Sequence, residues 1–284
     1  MLKQLYKYLT QNQANIYGLV LSSEGIPYLI KKDAKGWEVW VEESVCDHAC
    51  DLIAKYIAEN QYSPDSEIQK ASEYHHSFIG AWISMLLIGC HFRSDMYGQF
   101  NQIVREYGAS AAAILDGEIY RTVTALMLHS DYVHLAGNVA GIFIFGTAVS
   151  SIAGAGVGSL MILASGILGN YANAVLFEYG HTSIGASTAV FGAVGISAAY
   201  QFYTKIKMGK QRMQAWLPLA GGLALLGFLG TGKRADLTAH LFGFIAGIGL
   251  GLIYTLLRHH LQDKHIQIGS MATCVIILVS AWFG

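Results

Sequence analysis

Seven apolar stretches, at roughly 76–92, 132–150, 155–178, 184–203, 214–231, 237–257 and 268–283, fill most of the chain beyond its first quarter. A helix rises ~1.5 Å per residue and a bilayer's hydrocarbon core is ~30 Å thick, so about 20 apolar residues make one crossing. The first and last stretches fall short of that length. Inside lipid no water satisfies backbone N–H and C=O groups, so such stretches must close their hydrogen bonds internally, as helices. Only 13% of the 284 residues are charged, against about a quarter in a soluble domain. The 32 glycines outnumber the 3 prolines, a bias that lets helix backbones approach closely where lipid supplies no hydrophobic drive between them. The predicted class is therefore an all-α polytopic membrane protein, with the lipid bilayer as its surroundings. A net charge of -1 provides no basic field for nucleic acid.

Ahead of these stretches, residues 1–65 read as a small soluble α+β unit. A short opening helix is expected, then strands at NIYGLVLSS, IPYLIKK and GWEVWVEES, then a helix through DHACDLIAKYIAENQ. Gly25-Ile26-Pro27 and Asp33-Ala34-Lys35-Gly36 supply the turns. A polar linker, 66–75, follows. Cys46, Cys50, Cys90 and Cys274 form no metal-ligand pattern and read as reduced thiols; neither metal nor cofactor is expected. No stretch able to cross a bilayer precedes residue 76, so this unit is expected to remain cytoplasmic as an accessory domain. Lys205, Lys207, Lys210 and Arg212, and later Arg258 and Lys264, then fall inside, as the positive-inside rule requires. Lys233 and Arg234 fall outside, against it, and seven crossings place the C-terminus outside. The polar run from Arg93 to Arg121 is too broken to span and is expected at the interface.

Polar groups within crossings are costly and point to function. Ser187, in HTSIGASTAVFG, lies a few residues into the fourth stretch. A lone membrane serine usually bonds back to a carbonyl one turn earlier, but Gly185, Ala189, Ala193 and Ser197 recur every four residues and predict a small-residue face for a close helix partner. His240, one turn after Asp236, is followed by Gly243 and Gly247, a second such face. Ser187 and His240 are thus expected at matched depth near the outer side. His134 and Asn138, one turn apart, can aim imidazole and amide donors at one point, as an oxyanion needs, or can clamp two helices together. His129, Thr182 and Ser183 are expected to line a wet cavity beside them.

The stretches GEIYRTVTALMLHSDYVHLAGN, SGILGNYANA, SIGASTAVFG and AHLFGFIAG occur in an order and spacing that resemble the rhomboid family, over residues 77–257. The resemblance implies a six-helix catalytic core at 76–257, with 258–284 a connector and an added seventh helix. It implies an intramembrane serine endopeptidase acting on transmembrane protein substrates, with Ser187 as nucleophile and His240 as base. His134 and Asn138 take the oxyanion positions, Phe191 packs on the base, and Tyr120-Arg121 matches a first-loop aromatic-arginine pair usually led by tryptophan. The localisation implied is a bacterial inner membrane, with the site opening outward. Thr188 departs from the glycine common after the serine. The alternative is a catalytically silent rhomboid-like protein that binds membrane proteins. Asp236 is expected to cap its helix rather than complete a triad.

Overall fold

The computed structural model describes residues 2–33, 35–61, 77–96, 100–209, 212–229 and 236–283. The chain divides into two compact units, Met1–Gln69 and Lys70–Gly284. The linker expected at 66–75, and Lys210, Lys233 and Arg234, lie outside the described residues.

In the first unit, β1 (Leu2–Leu9), α1 (Gln11–Ser23), β2 (Tyr28–Asp33), β3 (Gly36–Glu42) and α2 (Cys46–Gln61) follow in turn. The sheet is antiparallel in the order β1-β3-β2. Two expectations reverse: the chain opens on a strand, and NIYGLVLSS is helical. Thr10 and Gln13 form a reciprocal capping box that starts α1, and Ala14, Gly18 and Leu21 then bury one helical face. The β-branched Ile16 and Val20 imitate a strand, but the cap and the helical spacing win. Leu21, Val39, Val41, Ala49 and Ile53 form a fully buried core.

The second unit begins with α3 (Ile79–Met96), followed by α4 (Phe100–Tyr107), β4 (Ala109–Ser110), α5 (Ala111–Leu115) and α6 (Arg121–Thr124). Then come α7 (Tyr132–Ala153), α8 (Ala155–Phe177), β5 (Thr182–Ser183), α9 (Ser187–Lys207), α10 (Arg212–Leu229), α11 (Leu237–Leu261) and α12 (Lys264–Ser280). Among the described residues α7, α8 and α11 are long and apolar enough to cross a membrane, while α3, α10 and α12 hold shorter apolar runs. The result is an apolar helical bundle preceded by a small sheet-bearing unit. α7 widens into a π turn over Ile142–Gly146, where Gly80 of α3 abuts the Phe143 carbonyl.

Between α3 and α7 the polar run folds into short helices tied together by Arg121. That buried guanidinium donates to Glu118 and to the carbonyls of Arg105 (2.7 Å) and Gly108 (3.4 Å). Thr124 adds a bond to the Tyr107 carbonyl at 2.7 Å. Asn170 of α8 donates to the Thr122 carbonyl at 2.9 Å, fixing the run against the bundle.

Gln267 of α12 performs a similar task at the opposite ends of α7 and α11. Its amide oxygen accepts from Gly156 N (2.9 Å) and Val157 N (3.2 Å), and its amide nitrogen donates to the carbonyls of Ala153 and Leu261, both at 2.8 Å. Helix ends leave such groups without intrahelical partners, and one side chain satisfies three ends at once. Gly154 turns between α7 and α8 at φ +85°, and a side chain there would collide with the Gln267 amide. Beyond α12, Trp282 meets the Tyr107 ring at 4.9 Å.

Among the described residues the most extensive helix packing is between α9 and α11, and it uses a different face of α9 from the one expected. Gly243 lies against the Thr188 carbonyl, Gly247 against Gly192, and Gly251 against Ile196. Ala189 of the expected column instead faces Gly166 of α8, and Gly185 precedes the helix altogether. Small residues occupy both faces of α9, so periodicity alone does not choose between them. Thr188, 1% exposed, sets its methyl between Gly169 of α8 and Gly243 of α11.

Candidate active site

Ser187 is the first residue of α9 rather than a few residues into it, and the segment before it is fastened on two sides. β5 pairs with β4 through Thr182 with Ser110 and Ser183 with Ala109. Gly185 N then donates to the Ala125 carbonyl at 2.9 Å. At φ +120° Gly185 adopts a backbone that L side chains rarely reach, and an added Cβ would stand 2.6 Å from His134 Nε2. Only glycine permits both the turn and the imidazole. The same absent Cβ would lie 3.7 Å from Ser187 Oγ, so His134 and the serine hydroxyl flank one small space.

His240 sits in the first turn of α11, and its Nε2 lies 2.6 Å from Ser187 Oγ. The Gly243 and Gly247 contacts described above allow two backbones to come this near. Phe191, one turn beyond Ser187, packs its ring 4.8 Å from the His240 ring at 31°. The Nδ1 of His240 has no hydrogen-bond partner among the described residues. Asp236 is turned elsewhere. Its Oδ1 accepts from Ala239 N at 3.0 Å, the cap of α11, and its Oδ2 lies 2.7 Å from His181 Nε2 and 2.8 Å from Asn173 Nδ2. Burial works to raise the Asp236 pKa, but the Ala239 N–H, His181 and Thr238 outweigh it and hold the carboxyl below its ordinary range.

Asn138 is buried, with one amide hydrogen given to the His134 carbonyl at 2.8 Å and a second remaining on the same nitrogen. His134 Nδ1 meets Ser130 Oγ at 3.2 Å. His129 is fully buried, and Ala186 N approaches its Nε2 at 3.4 Å. It therefore braces the turn before the serine instead of lining a cavity open to water. Arg121 takes part through the loop it ties together, remote from the serine and histidine in its bonding. Among the described residues no group of His, Cys, Asp and Glu is arranged to hold a metal. His181, Asn173 and Thr238 form no local pattern in the sequence. The useful sign was Asp236 itself, a carboxylate with one oxygen more than a cap needs.

Comparisons with known proteins give the family to which these helices belong. A family model, the Rhomboid domain, matches residues 116–257, half of the chain. The chain is 28% identical over 140 residues to "Putative rhomboid protease YdcA" of Bacillus subtilis, covering 49% of this chain and 69% of that one. It is 28% identical over 202 residues to "Rhomboid-like protease 3" of Toxoplasma gondii, covering 70% and 76%. It is 39% identical over 90 residues to "Rhomboid protease GluP" of Bacillus subtilis, covering 31% and 17%. With helices long and apolar enough to cross a membrane and a family match to half its length, the chain is an integral membrane protein that belongs to the rhomboid family, of the intramembrane-protease type.

Proposed function

We propose that the chain is a serine endopeptidase that cleaves transmembrane proteins through a dyad of Ser187 and His240. The observation that carries this reading is the 2.6 Å approach of His240 Nε2 to Ser187 Oγ. Neutral His240 takes the hydroxyl proton as Ser187 attacks a peptide carbonyl, then returns it to the leaving amine. Water hydrolyses the resulting acyl-enzyme by the same route. His134 Nε2, the free hydrogen of the Asn138 amide and the Ser187 N–H surround the space where the oxyanion forms, and each donor typically contributes ~10²–10³ in rate. For neutral His134 to donate from Nε2, its Nδ1 must accept, which asks Ser130 to turn its hydroxyl proton away from Asp131, 2.9 Å distant. No step calls for a metal or cofactor. Because the base must be unprotonated, activity falls as the solution is acidified.

In this reading 76–257 is the catalytic core, 1–65 a cytoplasmic accessory domain and 258–284 an added crossing. The cell membrane of a bacterium holds it with the site open to the outer face. The deciding experiment labels the purified protein with a fluorophosphonate and follows cleavage of a reporter transmembrane substrate. Parent protein should react and cleave, while Ser187→Ala and His240→Ala should insert normally and do neither, since the pair acts as one unit. An inert parent would make the chain a silent binding relative. Activity beyond a trace in either variant would remove the dyad.

A further inference from the structure

The Asp236 carboxylate lies where three parts of the site meet. Asn173 belongs to the last turns of α8, His181 to the segment leading to Ser187, and Asp236 and Thr238 to the start of the helix that carries His240. Asp236 Oδ2 takes Asn173 Nδ2 at 2.8 Å and His181 Nε2 at 2.7 Å. Thr238 Oγ1 closes the ring, 2.7 Å from Asn173 Oδ1 and 2.9 Å from Asp236 Oδ1. Two further bonds transmit this junction to the dyad. The His181 carbonyl accepts from Ala111 N at 2.9 Å, beside the β4–β5 pair, and His240 N donates to the Asp236 carbonyl at 3.1 Å. The His181 ring also stacks on Phe177 at 4.1 Å and 17°, which fixes the direction in which its Nε2 points.

We propose that Asp236, His181, Asn173 and Thr238 form a polar clasp that holds the start of α11 to the segment before α9 and so sets the distance between His240 and Ser187. The inference rests on the dyad reading. These are positioning residues, acting on the base through its helix. The two carboxylate oxygens divide the work: Oδ1 caps α11, and Oδ2 joins it to its neighbours. A carboxylate hydrogen-bonded by several neighbours in partly buried surroundings is directional in a way that apolar contact is not, and a misplacement of ~1 Å at reacting groups costs on the order of 10²-fold in rate.

That division makes the clasp separable from helix stability. Asp236→Asn keeps an oxygen for the Ala239 N–H and turns an amide hydrogen toward the donating Asn173 amide, so the cap survives and the clasp loses its shared acceptor. His181→Ala, Asn173→Ala and Asp236→Asn should each lower kcat roughly tenfold or more with KM within about twofold. His181→Gln, whose amide can reach Oδ2, should recover to within about threefold of the parent. The double variant His181→Ala with Asp236→Asn should be no worse than about twofold below the weaker single one, because both remove the same contact. Unchanged kcat in folded His181→Ala and Asp236→Asn, independent losses in the double variant, or a raised KM at constant kcat would overturn the clasp. If the parent does not cleave at all, the dyad reading fails first. The clasp is then judged from the His240 Nε2 nitrogen resonance, which should report a hydrogen bond in the parent and move in Asp236→Asn; an unmoved signal overturns it.

Discussion

Gly243→Ala tests whether the approach of α9 and α11 sets the geometry of the dyad. The added methyl would stand 3.0 Å from both the carbonyl carbon and the Cγ2 of Thr188, and nearer still to the carbonyl oxygen. Carbon contacts are most favourable at ~3.5–4.0 Å, so α11 must recede by about 1 Å at this level. Gly243 lies one residue short of a turn beyond His240, and Thr188 adjoins Ser187, so the displacement falls directly on the pair. A 2.6 Å hydrogen bond stretched by that amount reaches ~3.6 Å, where it is no longer a hydrogen bond. The expected loss is ~10²-fold in kcat, or about 2.7 kcal/mol in barrier. Gly249→Ala supplies the control: it lies on the same helix with nothing within 4 Å of an added Cβ, and exchange of glycine for alanine there should stabilise the helix by ~0.5–1 kcal/mol. Turnover of one reporter substrate is compared among parent and variants in proteoliposomes at matched folded concentration. Gly243→Ala retaining kcat within about threefold of Gly249→Ala would refute the argument that helix approach governs the dyad.

Thr188→Gly should cleave the same substrate at a rate within about tenfold of the parent, or ~1.4 kcal/mol, because its methyl packs toward α8 and α11. It should nonetheless unfold more readily by roughly 1–2 kcal/mol, from a void of ~50 Å³ at ~24 cal/mol per Å³ and the glycine's added freedom, as read by denaturation in detergent. A variant that cleaves when the parent does not would identify the threonine as a block. His134→Ala and Asn138→Ala should each lower kcat by ~10²-fold or more and leave measurable activity, since the other donors remain; unchanged turnover in both would assign the pair to helix clamping.

The residues proposed to bear the chemistry are legible because their spacings are short and local. Ser187 with Gly185, His240 with Gly243 and Gly247, and His134 with Asn138 each stand within about two helical turns. What joins them is not local. Asn173 and Asp236 are 63 residues apart, and neither is unusual at a helix end, so no pattern in one sequence connects them. Thr188 looked like a departure from the glycine norm, yet Gly169 and Gly243 leave room for it, a compensation spread over three helices. The apolar length of α7, α8 and α11 was readable because lipid demands it, whereas the inward face of α9 was not, since small residues line both sides. In the first unit, where water permits strand or helix, apolar β-branched residues misled until the Thr10 cap decided the matter.

Gln267 bears on how such a bundle assembles. Crossing the membrane and joining the bundle are separate events, the first driven by apolar length and the second by packing and polar contact. Replacing Gln267 by leucine would make α12 more apolar and easier to insert. It would also strand the carbonyls of Ala153 and Leu261 and the N–H groups of Gly156 and Val157 in surroundings poor in water. The last helix would then enter the bilayer and drift from its place, exposing the Met271, Cys274 and Leu278 wall of an apolar cavity that extends to Ala186, the residue before the serine. Membership of the assembly is thus conferred on this helix by an amide that lipid alone would reject.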